Sequence, residues 1–145
     1  MSRRHAREIA LQVLFQLDIQ KDEQHSPDEI VDQWAAEFAL SPSYIPFAKD
    51  LVKGTLDHKE HIDRHLSELS TEWSISRMPG VDRNLLRLAA FEILYRPDIP
   101  FSVTINEAVE IAKRYGGADS GRFINGILDK LAVIARRKEL PTPNP

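Results

Sequence analysis

The chain has 145 residues, of which 42% are hydrophobic and 28% charged, and a formal net charge of −3. This length suits one domain or two tightly packed subdomains, with the composition of an ordinary globular protein. The sequence contains no run of about 18 apolar residues, which argues against a membrane span, and the acidic balance argues against a protein that coats nucleic acid with its whole surface. The chain has no cysteine, which excludes disulfides and thiolate chemistry and fits a cytoplasmic location.

The N-terminal part of the sequence shows the periodicity of amphipathic helices rather than the alternation of strands. A first helix is predicted over residues 3–20, where apolar residues form one stripe. Ser26, followed by a proline and by Glu29, predicts a capping box at the start of a second helix. A long apolar pattern begins at Tyr44. We expect it to bend or break near His58, because an unbroken helix of that length would be unusual.

The C-terminal part is organised around a helix predicted over residues 81–95. This segment is apolar on nearly every face, so it is expected to be a central helix that the others surround. Glu92 interrupts it, and a buried carboxylate of this kind is expected to pair with a basic side chain in a structural role.

The end of the sequence predicts two more helices. One covers residues 103–115, with Thr104 and Glu107 as a capping box. The two glycines at 116–117 are expected to supply a left-handed residue at its end, and Asp119 or Ser120 is expected to cap the last helix. The resulting prediction is an all-α fold of six or seven helices in two packed subdomains. These are a three-helix bundle over about residues 1–58 and a bundle around the central helix over about residues 59–138, followed by a loose tail at 139–145.

Arginines are concentrated at the N-terminus, at Arg3, Arg4 and Arg7, with no acidic residue among the first seven. On a helix these side chains lie on neighbouring positions and present planar donor groups that suit phosphate oxygens. Cations are unfavourable at a helix N-terminus, so helix stability does not explain them. The alternative is a charged terminus that only solubilises the chain.

A second candidate binding segment is the glycine-rich turn over residues 116–123. Its backbone N–H groups lead into a helix N-terminus, where anions are favoured. Arg122 adds a donor, and Phe123 offers a stacking plane for an unpaired base. The alternative is an ordinary connection between helices with a phenylalanine in the core.

The other polar clusters in the sequence indicate neither a catalytic site nor a metal site. His58, His61 and His65 share one helix face, but the charged residues between them are typical of a solvated face. Glu107 and Glu110 lie one turn apart and are expected to form caps or surface ion pairs. We therefore predict no catalytic residue, no cofactor and no metal site.

Three segments of the sequence carry a resemblance to a known family. They are RRHAREIALQVLF at residues 3–15, INEAVEIAK at 105–113 and RFINGILDK at 122–130. Together they resemble the NusB family of bacterial transcription antitermination factors. The likeness covers nearly the whole chain and is least distinctive over residues 20–72.

The resemblance implies a helical protein of two subdomains that binds the boxA element of nascent RNA. It binds with NusE, a protein of the small ribosomal subunit, and joins the RNA polymerase antitermination complex on ribosomal RNA operons. The implied RNA contacts form one site and are Arg3, Arg4, Arg7, Asp119, Ser120, Arg122 and Phe123. The implied contacts with the protein partner are Phe15, where some relatives carry a tyrosine, and Asp82.

Two alternatives remain open at the level of sequence. A NusB-like domain also occurs as the RNA-binding module of RNA methyltransferases, and a helical scaffold that binds only proteins would show the same periodicity. The sequence also leaves open whether the free protein is a monomer or a homodimer. We expect RNA affinity in the micromolar range or weaker for the chain alone and tighter binding with NusE. We further expect replacement of Arg4 and Arg7 by alanine to weaken RNA binding while leaving helicity and the melting temperature nearly unchanged.

Overall fold

The computed structural model describes residues 2–21, 23–71 and 73–137. Within these residues it contains seven α-helices and no β-strand, which confirms the predicted all-helical class. The helices are α1 Arg3–Phe15, α2 Pro27–Glu37, α3 Ile45–Asp57, α4 Lys59–Leu69, α5 Gly80–Tyr95, α6 Phe101–Tyr115 and α7 Ser120–Arg137. Among the described residues, none of the helices combines the length and the hydropathy that a membrane span requires. The predicted loose tail at 139–145 lies outside the described residues.

The chain divides into two compact units, Met1–His58 and Lys59–Pro145. The boundary coincides with the end of α3 at Asp57 and the start of α4 at Lys59, so the predicted helix break near His58 is confirmed. The assignment of both units to a single domain stays a prediction.

The first unit is a three-helix bundle in which α1, α2 and α3 pack against one another. The predicted capping box begins α2: the Glu29 N–H donates to Ser26 Oγ at 3.2 Å, and the Ser26 N–H donates to the Glu29 carboxylate at 2.8 Å. α1 continues past Phe15 as a turn of π-helix, Gln16–Gln20, so the helical stretch predicted over residues 3–20 is present. The core side chains of this unit include Ala6, Ile9, Val13, Leu14, Ile30, Ala35, Leu51 and Val52.

In the second unit, α5 is the central helix, as predicted. It packs against α4, α6 and α7, and all of residues 84–94 are buried. Three buried side chains of α5 each hydrogen-bond to a different neighbouring helix. The pairs are Asp82 with Ser120 of α7 at 2.9 Å, Arg87 with Asp63 of α4 at 2.8 Å, and Glu92 with Thr104 of α6 at 2.7 Å.

Two local predictions around α6 are wrong. The helix begins at Phe101, so Thr104 lies inside it, and the Thr104 hydroxyl donates to Glu92 instead of capping the helix. Gly116 at the helix end has an extended backbone (φ −98°, ψ −173°), and no described glycine has a positive φ, so the left-handed C-cap is absent. A close approach explains the glycine instead, because a Cβ at position 116 would lie 2.6 Å from Ser120 Oγ.

Candidate nucleic-acid interface

The arginines predicted to bind RNA lie in the first two turns of α1. Ser2 begins the helix, and its hydroxyl accepts a hydrogen bond from the His5 N–H at 3.3 Å. Arg3 is exposed and Arg4 is half-buried. These two guanidinium groups therefore stand beside a helix N-terminus, where an anionic phosphate is electrostatically favoured.

Arg7 differs from the other two because it is only 4% exposed. Its guanidinium carbon lies 5.5 Å from the ring centroid of Phe47 in α3, and that of Arg3 lies 4.6 Å from the same ring. A cation–π contact strengthens when it is shielded from water. Arg7 therefore helps to join α1 to α3, and little of its surface remains for a nucleic acid.

The turn between α6 and α7 borders a cavity of about 420 Å³. The cavity is lined by Trp73, Pro79, Asp82, Gly117, Asp119, Ser120 and Phe123. Three predicted RNA contacts, Asp119, Ser120 and Phe123, therefore line the same cavity as Asp82, the partner contact predicted on α5. Sequence reasoning missed Trp73 and Pro79 because both lie in the connection before α5, outside any helical stripe. The one available signal was a tryptophan without a place in the apolar pattern.

Two aromatic rings form one wall of this cavity. Phe123, in the first turn of α7, is half-buried and packs edge-to-face against Trp73, with ring centroids 5.3 Å apart and an interplanar angle of 84°. Trp73 is 40% exposed. Exposed aromatic faces beside a cavity are the surfaces on which unpaired bases stack.

Asp82 and Ser120 hold the turn from beneath and are themselves shielded, at 2% and 6% exposed. The Ser120 hydroxyl donates to Asp82 Oδ1 at 2.9 Å and accepts the Gly117 N–H at 2.9 Å. Burial raises the pKa of the Asp82 carboxyl, and the hydrogen bond from Ser120 partly opposes this shift. The geometry gives both residues a positioning role and leaves little of either surface for contact with RNA or a protein.

Arg122 and Asp119 remain accessible on either side of this network. Asp119 is exposed and lines the cavity at the turn. Arg122 is exposed and lines a second cavity of about 210 Å³, which also includes Phe123 and Lys130. Phe123 therefore stands between an acceptor and a donor group.

Phe15, the partner contact predicted in the first unit, is the last residue of α1 and is half-buried. Gln16 follows it and accepts a hydrogen bond from the Trp34 indole N–H at 2.9 Å. The Phe15 ring thus lies where α1 changes to a π-helical turn that is tied to α2. Its contact with a partner stays a prediction.

Among the described residues, no group of three or more histidine, cysteine or acidic side chains is arranged to hold a metal ion. Glu110 forms a surface ion pair with Lys113 at 3.2 Å, as predicted for this acidic face.

The fold and these surfaces define a class of protein. Among the described residues all regular structure is helical. The first unit carries accessible arginines, and the second, by itself, carries a pair of aromatic rings beside α7; both are features of helical proteins that bind nucleic acid. The NusB family matches residues 4–133. The chain belongs to the NusB family, which confirms the resemblance inferred from the sequence motifs and the prediction of a non-enzymatic protein.

Individual relatives agree over most of the chain. The transcription antitermination protein NusB of Desulfitobacterium hafniense is 59% identical over 139 residues, which is 96% of this chain and 93% of the relative. The structure of T. maritima NusB is similar with a TM-score of 0.83 and 38% identity, covering 92% of both chains. A structure of antitermination factors NusB and NusE in complex with dsRNA is similar with a TM-score of 0.79 and 27% identity, covering 92% of this chain and 99% of that one.

Proposed function

We propose that this chain is a transcription antitermination factor of the cytoplasm. It binds single-stranded boxA-type RNA together with NusE and joins the RNA polymerase antitermination complex on ribosomal RNA operons. The family match over residues 4–133 carries this proposal, and relatives bearing the antitermination name support it. A similar structure that holds NusB, NusE and dsRNA supports NusE as the protein partner and RNA as the class of nucleic acid.

The proposal assigns direct RNA contacts to the accessible members of the predicted set. Arg3 and Arg4 in the first unit bind phosphate oxygens, because both guanidinium groups lie at the start of α1. In the second unit, Phe123 stacks on a base, Arg122 binds a phosphate, and Asp119 accepts a hydrogen bond from a base amino group. The two surfaces lie in different units and are assigned independently of each other.

The remaining predicted residues are assigned supporting roles. Arg7 packs against Phe47, and Ser120 and Asp82 hold the turn before α7. This division follows from burial, since a side chain that is less than a tenth exposed has few atoms to offer a ligand.

Few phosphate contacts imply weak and mildly salt-dependent binding by the chain alone. Three arginine–phosphate contacts on a single strand give a log–log salt slope of about −2. A second protein that binds both this chain and the RNA raises the affinity for RNA without any additional RNA contact on this chain. NusE is the partner proposed for that role.

Filter binding with boxA RNA tests the proposal directly. We expect boxA RNA to bind more tightly than a scrambled strand or a duplex of the same length, and NusE to tighten the binding at least tenfold. Equal binding to boxA and scrambled RNA, with and without NusE, would contradict the proposal, and no binding to either RNA would favour the scaffold alternative. The methyltransferase alternative has less support, because relatives that match 96% and 90% of this chain are named as transcription antitermination proteins.

Phe123→Ala locates the RNA surface within the second unit. Loss of one stacking contact is worth about 1–3 kcal/mol, so RNA affinity should fall about tenfold. Phe38→Ala is the matched control, because Phe38 is 48% exposed directly after the end of α2 in the first unit and lies outside the proposed surface. Equal effects of the two substitutions would show that Phe123 does not contact RNA.

A further inference from the structure

Two histidines of α4 approach each other closely on a surface that the proposed RNA function does not use. His61 is exposed and His65 is half-buried. Because they are four residues apart, they lie one turn apart on the same helix face. Their Nε2 atoms are 3.2 Å apart, and the rings meet edge-to-face with centroids 4.7 Å apart. A hydrogen bond joins these two Nε2 atoms, so one of them carries a proton. When that ring takes the Nδ1–H tautomer instead, the lone pairs of both Nε2 atoms are available to one bound ion.

We propose that His61 and His65 bind one divalent cation of the Zn²⁺, Cu²⁺ and Ni²⁺ class through their Nε2 atoms. Neutral imidazole is a preferred ligand of these ions. Two nitrogens bound to a tetrahedral zinc ion at about 2.0–2.1 Å lie about 3.3 Å from each other. The observed separation of 3.2 Å is close to this value, so the ion would take the place of the proton that the two nitrogens now share, with little movement of the rings.

Tyr95 of α5 supports this arrangement from behind. His61 Nδ1 is hydrogen-bonded to the Tyr95 hydroxyl. A metal-bound histidine commonly donates its second ring N–H to an oxygen atom, and the Tyr95 oxygen is placed to accept it. This bond fixes the orientation of the ring and keeps its Nε2 directed toward His65, where the ion is proposed to bind. The Tyr95 ring is itself stacked on Phe91 at 5.9 Å.

Water completes the coordination of the ion. In the described ranges no third histidine, cysteine or acidic side chain joins the pair as a possible ligand. Asp63, two residues along α4, is bonded to Arg87 at 2.8 Å. The site is therefore an open one with two protein ligands, which exchanges its ion more readily than a closed structural site of four protein ligands. The charged residues between the histidines concealed it in the sequence, because they are typical of a solvated face.

Isothermal titration of the full, tag-free chain with zinc chloride tests the proposal. We expect one ion per chain, with an affinity that falls at least tenfold in both His61→Gln and His65→Gln. Tyr95→Phe should weaken binding by about tenfold, as removal of an outer hydrogen-bond partner commonly does. His25→Gln is the control, because His25 is exposed in the segment before α2; it should keep the wild-type affinity.

Two results would overturn the proposal: the absence of stoichiometric zinc binding by the wild-type chain, or unchanged affinity in either α4 variant. Electron paramagnetic resonance of the copper-loaded protein gives an independent readout, since hyperfine structure from two nitrogens is expected and fewer than two would contradict the site. Circular dichroism and boxA binding of each variant separate this test from the proposed RNA function, because both should be unchanged.

Discussion

Replacing Ser120 by alanine tests whether this residue positions the turn before α7. The hydroxyl makes two hydrogen bonds, to the buried Asp82 carboxyl and from the Gly117 N–H, each at 2.9 Å. A hydrogen bond to a charged group contributes about 1.5–3 kcal/mol and a neutral one about 0.5–1.5 kcal/mol. Asp82 is 2% exposed, so water cannot easily replace the lost donor. We expect a loss of about 2–4 kcal/mol, which for a chain of this size lowers the melting temperature by about 5–15 °C.

Urea unfolding and thermal melts at neutral pH measure this effect. Ser67→Ala is the matched control, because Ser67 is exposed in α4 and should change stability by less than about 0.5 kcal/mol. A double-mutant cycle with Asp82→Asn should give a coupling energy above about 0.5 kcal/mol. A Ser120→Ala variant as stable as the control, or a coupling energy near zero, would refute the positioning role.

Three further substitutions examine other parts of the structure. Asp82→Asn should abolish a pH dependence of the free energy of unfolding. Because the folded-state pKa of Asp82 is raised, the wild type binds more protons when folded and should lose stability as pH rises from the unfolded-state pKa through the folded-state pKa. Urea titrations across this range should show no such loss for the variant. Gly116→Ala should lower the free energy of unfolding by about 1–3 kcal/mol in thermal melts, because the new Cβ would lie 2.6 Å from Ser120 Oγ. Gly126→Ala should raise it by about 0.5–1 kcal/mol, because a Cβ there would meet no atom of the surroundings within 4 Å. Arg7→Ala should lower the free energy of unfolding by about 1–2 kcal/mol through the lost contact with Phe47. An unchanged melting temperature would contradict this structural role and favour Arg7 as a direct RNA contact.

Helix positions were largely predictable from the sequence because apolar periodicity and capping residues act locally. The capping box at Ser26 and the break at His58 are both present. Errors arose where a distant residue decides the local structure. Thr104 has the sequence signature of a cap, yet its hydroxyl reaches Glu92 on a neighbouring helix. Gly116 was predicted to be left-handed, but contact with Ser120 is what requires a glycine there.

The sequence was sufficient to predict which residues form the candidate site, but not which of them are exposed to a ligand and which support the fold. Arginines and aromatic residues can be recognised by type and by family resemblance. Their burial depends on packing that the sequence does not display, and for that reason Arg7 and Ser120 were grouped with exposed contacts. Trp73 was missed because it belongs to a connection without periodicity, and only the fold places it against Phe123.

The spacing of the polar residues in α5 determines how the second unit assembles. Asp82, Arg87 and Glu92 are five residues apart, and five residues of α-helix turn through about 140° beyond one full revolution. The three side chains thus point in three directions, one toward each surrounding helix. A neighbour that slid by one turn would leave a buried ionisable group without its partner, at a cost of about 3–5 kcal/mol. A purely leucine-lined α5 would accept several such registers with similar energies, so these three bonds select one arrangement of the bundle.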